Sequence, residues 1–356
     1  MYSPNIIVYT IAILSFLLSF AGFYLLNRRN EELAPQKNTP FLIFLPIITL
    51  SFTVLFWLLP SQIDFVYPYD IKHIITIIVG GAFIYFSSRL PKQPFFNILI
   101  TMIFSVIVCL LIPNDFILFP QISPLLSKII LGVCLFVFSY FYPITNNIDT
   151  LTTLQTLLIN LGIFFLSLIG GAPILLGAFS LSISAICLSF LVFNRYPAQL
   201  SFITAGCQAL GFISGTLMIH TTIEGSGVGI LIFSLFFWVE FFSACFRKLL
   251  DWKNHFNLNT YTSCYQANLS GFPPYTIAGH ILRLQIVLLA LGIFAIYSPE
   301  GLSLPIFSIV ITIWYISKIK NWQTSNKTIR ELNNDLMNSI KDNINELKEQ
   351  MNKDKK

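Results

Sequence analysis

Phe193-Asn194-Arg195-Tyr196-Pro197-Ala198, continued by Gly206 and by Leu210-Gly211-Phe212, separates two apolar runs at 174–193 and 203–220. Tyr196-Pro197-Ala198 reads as a turn, because proline presets the backbone for a reversal. The runs on either side are each long enough to cross a hydrocarbon core of ~30 Å as a helix. A polar turn between two spanning helices is the unit from which the fold is built.

The same unit recurs along the chain. Apolar stretches fall near 5–26, 41–60, 72–88, 95–112, 124–142, 154–171, 174–193, 203–220, 227–246, 280–298 and 303–318. They predict about eleven transmembrane spans, helical because lipid offers backbone polar groups no other partner. Composition agrees: of 356 residues, 55% are hydrophobic and 10% charged, with a mean hydropathy of +0.74. A soluble domain is excluded. The expected fold class is an all-α polytopic membrane protein.

Basic residues in short loops stay on the cytoplasmic side. Arg28, Arg29 and Lys37 follow the first span, Arg89 and Lys92 the third, and Arg195 the seventh. Arg247, Lys248 and Lys253 follow the ninth, Lys318 and Lys320 the last, while the loops 61–69 and 114–124 carry no Lys or Arg. The expected topology has the N-terminus outside and the C-terminus inside. The first span has its positive pair after it, which predicts a retained span and not a cleaved signal peptide. The net charge of +5 reflects this asymmetry and argues for no nucleic-acid partner. Cys109, Cys134, Cys187, Cys207 and Cys245 lie inside expected spans and Cys264 in a loop, with no CxxC or disulfide framework.

Two domains are expected: a membrane domain over 1–322 and a polar cytoplasmic tail over 323–356. In the tail Met337, Ile340, Ile344, Leu347 and Met351 recur every three or four residues, the pattern of an amphipathic helix. Resting on the membrane is one reading of that helix; a short coiled coil joining homo- or hetero-oligomers is the sharper one. Chemistry on a cytosolic substrate has to come from residues 27–40, 89–94, 143–153, 194–202 and 247–279. No internal repeat and no matched pair of broken spans points to a transporter.

Several of these segments resemble one family. The opening stretch is similar to the FNFPPAKIFMGDxGSxFLGF signature of polyprenyl-phosphate N-acetylhexosamine-1-phosphate transferases. These are enzymes of the glycosyltransferase family 4 type in bacterial envelope glycan synthesis, and they include the phospho-MurNAc-pentapeptide translocase. Here Ile203-Thr204 stands where the family writes Gly-Asp. Asn146 and Asp149 match the Asn and first Asp of the N-x-x-D-G-x-D-G motif, with Thr150, Thr152 and Thr153 in place of Gly, Asp and Gly. Glu240, Arg247 and Lys248 resemble the VDATxTLxRRLL segment. Thr260-Tyr261-Thr262-Ser263-Cys264-Tyr265-Gln266 resembles HRSHAYQ: Tyr265 and Gln266 match, while Thr260 and Ser263 replace the histidines. Tyr85 and Phe86 occupy the place of the paired aspartates, and Lys37 with Thr39-Pro40 matches the first cytoplasmic loop.

The resemblance implies a fold, a bacterial inner-membrane location and a reaction, the attack of polyprenyl phosphate on a UDP-sugar with release of UMP. Magnesium assists in the family, and its carboxylate ligands are mostly replaced here, so no cofactor is expected. Asp149 is the surviving candidate catalytic acid. Asn146, Lys37, Glu240, Arg247, Lys248, Tyr265 and Gln266 are candidate substrate or lipid-phosphate contacts. Tyr85, Phe86, Thr152, Thr204, Thr260 and Ser263 mark lost catalytic positions. The expected partner is membrane lipid, polyprenyl phosphate in particular.

Other readings stay open. Asp149 as an N-cap of the sixth span is the plainer alternative to catalysis, and Arg247 and Lys248 are ordinary interface anchors in the plainer reading. Glu240 either pairs with a nearby base or lines a relict site; Tyr265-Gln266 reads as loop structure. At the level of the whole chain, a catalytically degenerate transferase homologue stands beside an active transferase with relocated ligands and beside a lipid or solute carrier.

Overall fold

The computed structural model describes residues 4–32, 40–58, 71–90, 94–250, 258–297 and 303–319. Lys37 and the expected tail helix lie outside the described residues. Helices α1 (Pro4–Glu32), α2 (Pro40–Leu58), α3 (Ile71–Ser88), α4 (Pro94–Leu111) and α5 (Pro124–Phe141) come first. A 3-10 turn over Tyr142–Asn147 leads into α6 (Leu151–Leu168), α7 (Ile174–Asn194), α8 (Thr204–Thr221) and α9 (Gly227–Leu250). A second 3-10 turn, Leu258–Tyr261, precedes the short α10 (Ser263–Leu269), then α11 (Pro274–Phe294) and α12 (Ser303–Ile319).

There is no strand among the described residues. Among the described residues six segments are long and apolar enough to cross a membrane: Ile6–Arg28, Pro124–Asn147, Leu151–Leu168, Ile174–Asn194, Thr204–Leu250 and Pro274–Tyr297. The fifth contains both α8 and α9, joined across a kink at which Gly225 takes a φ of 98°. Shorter apolar helices lie at Pro40–Leu55, Lys72–Ser88, Phe95–Leu111 and Ser303–Ile319. The architecture is that of an all-helical membrane protein. Its outward faces are apolar, as at Phe95, Leu110 and Leu249, where a bilayer rewards exposure that water would penalise.

Helices α6, α7 and α8 form the centre, and nearly every side chain of α8 is buried. Two glycines of the opening stretch explain how α8 fits there. A Cβ on Gly211 would meet the Tyr142 Cβ at 2.7 Å, and one on Gly206 would meet the Phe202 ring at 3.2 Å. Phe202 in turn joins a ring cluster with Phe44 and Phe190, at centroid distances of 5.1 and 4.4 Å.

Two local expectations change. Tyr265-Gln266 is helical, not loop: Thr262 caps α10, its hydroxyl accepting the Tyr265 N–H at 3.3 Å. Helix α11 starts at Pro274, six residues before the expected span, because proline is tolerated in a first helical turn that needs no internal N–H donor.

Candidate functional site

The turns after α5, α7 and α9 meet at one end of the bundle, bound together by side-chain amides and hydroxyls. Asn194, the last residue of α7, is the hub. Its Oδ1 accepts from the Thr150 backbone N–H at 3.0 Å and the Thr153 hydroxyl at 2.8 Å. Its Nδ2 donates to the Leu200 carbonyl at 2.9 Å, and its own carbonyl accepts from the Thr150 hydroxyl at 2.9 Å. An asparagine can satisfy a backbone this way because one side chain carries both donor and acceptor.

Thr150 is held in an uncommon state. Its φ of 85° makes it the one non-glycine residue with positive φ among the described residues, a costly backbone for a β-branched side chain. It is also the N-cap of α6, without a side-chain cap bond. This corrects the reading of Asp149 as the cap: Thr150 holds the N-cap position, and its own N–H is taken by Asn194 from the neighbouring helix. Asp149 is half-buried.

Neighbouring residues extend the network. Asn146 donates through Nδ2 to the Phe202 carbonyl at 2.8 Å and accepts from the Thr152 hydroxyl at 3.3 Å. Thr152 and Thr145 share a hydroxyl contact of 3.0 Å. Asn147 donates to the Asn259 carbonyl at 3.0 Å and the Thr262 hydroxyl at 2.9 Å, tying this turn to the segment before α10.

That segment is clamped to α9 by two side chains. Glu240, 2% exposed, accepts the Ser263 N–H at 2.9 Å and faces the Cys264 thiol at 3.8 Å. Arg247 donates to the Tyr261 carbonyl at 2.9 Å and the Ser263 hydroxyl at 2.8 Å. Lys248 sits over the Tyr261 ring, 5.5 Å from its centroid. Gln266 donates to the Thr260 carbonyl at 2.6 Å; Tyr265 is half-buried. Burial and then the Glu240 carboxylate push the Cys264 thiol well above its usual range, so it stays neutral.

The positions at which the resemblance would place acids or histidines have different surroundings. Tyr85 is fully buried, stacked on Phe41 with centroids 4.6 Å apart and with the Arg89 guanidinium 5.2 Å from its own ring centre. Phe86 is exposed. Thr152 and Ser263 are buried, Thr260 is half-buried, and Thr204 is exposed at the start of α8. Phe41 also lies 3.4 Å from where a Gly206 Cβ would be. Tyr85 and the start of α8 therefore share one corner, which aromatic rings fill.

Magnesium asks for about six oxygen ligands, carboxylates among them. Asp149 and Glu240 are the acids these turns bring, and Glu240 already holds Ser263. Among the described residues no group of three or more His, Cys, Asp or Glu could hold a metal ion. The described residues of these turns do not assemble a magnesium site.

Sequence reasoning missed the hub role of Asn194, and it missed Asn147, which ties the turn after α5 to the segment before α10. It also missed a buried amide pair, in which Asn97 donates to Gln208 at 2.9 Å, accepts from Ser87 at 3.1 Å, and Gln208 donates to the Tyr140 carbonyl at 3.0 Å. The usable signal was an amide inside an apolar run, which is costly in lipid and so usually has a partner.

No protein-family model matches the chain, and no curated protein matches it.

Proposed function

We propose that this protein is a membrane-embedded homologue of UDP-N-acetylhexosamine:polyprenyl-phosphate sugar-1-phosphate transferases, catalytically silent, that binds polyprenyl phosphate in the bacterial inner membrane. In this reading the helices form about eleven spans with the N-terminus outside, and the network around Asn194 faces the cytosol.

The observation that carries the reading is the backbone at Thr150. The family motif places glycine at that position, and glycine is the residue that adopts positive φ without steric cost. Here threonine occupies it and still takes a φ of 85°. A backbone shape kept after its natural residue has gone supports descent of this turn from the glycine-bearing motif. A second support is spatial, since the segments that resemble the family motifs converge at one end of the bundle.

Silence follows from chemistry. Phosphoryl transfer depends on positioning and on neutralising charge at the phosphates. Tyr85, Thr152 and Thr204 supply no charge for that. A lipid phosphate needs only a cationic rim, for which Arg89, Arg195 and Lys248 stand at this end.

Thermal unfolding of the detergent-purified protein with undecaprenyl phosphate, against undecaprenol, tests binding. Ligand at about 100 times its Kd stabilises by about 2.7 kcal/mol. A rise in Tm with the phosphate alone is expected; equal effects of both lipids would refute phosphate recognition.

A further inference from the structure

We propose that Gln155, Glu240 and Gln285 enclose a buried water-binding site where α6, α9 and α11 meet. The inference is independent of the functional reading above.

The placement starts from one ring. Phe233 of α9 is wedged between two glycines: a Cβ on Gly162 of α6 would lie 2.6 Å from its edge, and one on Gly292 of α11 would collide with its other edge. The backbones of α9 and α11 also touch beside it, through Gly229 and the Gly292 carbonyl. This fixes one level at which the three helices share a face.

Gln155, Glu240 and Gln285 each lie seven residues from that level, counted from Gly162, Phe233 and Gly292. Seven residues are about two turns, and the face drifts by only ~20° over that length. Helix α9 runs antiparallel to α6 and α11, so counting forward on it and backward on the others leads to the same end. The three side chains therefore come to a common level on the three faces that meet.

All three are shut away from the surface, at 1%, 2% and 2% exposure for Gln155, Glu240 and Gln285. Neither carboxamide atom of Gln155, nor Nε2 of Gln285, has a hydrogen-bond partner among the described residues. Glu240 accepts the Ser263 N–H on one oxygen and the Cys264 thiol at 3.8 Å on the other, and the Ser263 hydroxyl also bonds it; of about four lone-pair sites on a carboxylate, one remains for a further donor.

The unmet groups include donors and acceptors together, and this selects the ligand. A cation would satisfy the oxygens and leave both amide NH2 groups unmet; an apolar tail would satisfy neither. Water accepts from Nε2 of Gln155 and Gln285 and donates to Oε1 of Gln155 and to Glu240. Buried water typically makes about three such bonds to otherwise unpaired groups.

Two measurements on the full chain test this. A cryo-EM map that resolves ordered water is expected to show density between the Gln155 and Gln285 amides, within hydrogen-bond reach of both. Amides bonded directly to each other or to protein atoms, with no density between, would overturn the proposal. In parallel, thermal midpoints of Gln155→Leu, Gln285→Leu and the double variant are compared. A shared water makes the double loss smaller than the sum of the single losses; additive losses would overturn it, as independent sites add.

Discussion

Glu240 and Arg247, two turns apart on α9, hold the same residue by its two ends: Glu240 takes the Ser263 backbone N–H at 2.9 Å, and Arg247 donates to the Ser263 hydroxyl at 2.8 Å. The pair acts as a clasp for the 258–269 segment. Glu240→Ala leaves that N–H without its acceptor and exposes the guanidinium to loss of its counter-charge. A charge-assisted bond of this kind contributes about 1.5–3 kcal/mol. Hydrogen exchange is expected to show faster exchange of amides 262–266 in the variant, with α3 and α4 unchanged; an unaltered segment would disprove the clasp.

The strained turn at Thr150 allows a signed comparison. Thr150→Val keeps the β-branch at positive φ and loses the hydroxyl bond to the Asn194 carbonyl, so it is expected to destabilise by about 1 kcal/mol or more. Thr150→Gly also loses that bond but relieves strain of about 1–3 kcal/mol. Thermal melts should therefore place the glycine variant above the valine variant. The opposite order would mean that the backbone at this turn is not strained.

Introducing acids has opposite consequences at two positions. Tyr85→Asp removes a buried ring from Phe41 and puts a carboxyl in its place, which is expected to cost about 3–5 kcal/mol from lost aromatic packing alone. Thr204→Asp stands exposed at the first turn of α8, where an acid meets the positive end of the helix dipole and stabilises by about 0.3–1 kcal/mol. Expression and Tm in detergent check both signs.

The neutral thiol of Cys264 gives a pH dependence. Its folded pKa is raised above the unfolded value of about 9, so the unfolded chain ionises first as pH rises. The stabilisation is whole below pH ~9 and declines above it. Maleimide at pH 8 is expected to leave Cys264 unlabelled in the folded protein and to label it in SDS. Rapid labelling without SDS would contradict the burial on which this rests.

The all-helical, apolar character of the fold was legible because length and apolarity are enough to mark a membrane helix, and six helices among the described residues are long and apolar enough to cross a membrane. The turn at Tyr196-Pro197 was legible as a turn. What holds the turns together was not. Asn194 reads as an ordinary polar residue before a turn, and only the approach of α6 and α7 makes it the partner of Thr150. The stacking of Phe41 on Tyr85 joins residues of different helices, which periodicity along one helix does not reveal. Thr262 before Ser263 did carry an N-cap signal for α10, obscured by the shortness of the helix.

The claim of a silent transferase frame is tested most directly by UMP release. Purified protein is incubated with UDP-GlcNAc, undecaprenyl phosphate and magnesium, and UMP is measured against a no-protein control. No UMP above the control is expected. Sustained release that Asp149→Ala abolishes would contradict the claim and identify an active enzyme with relocated ligands.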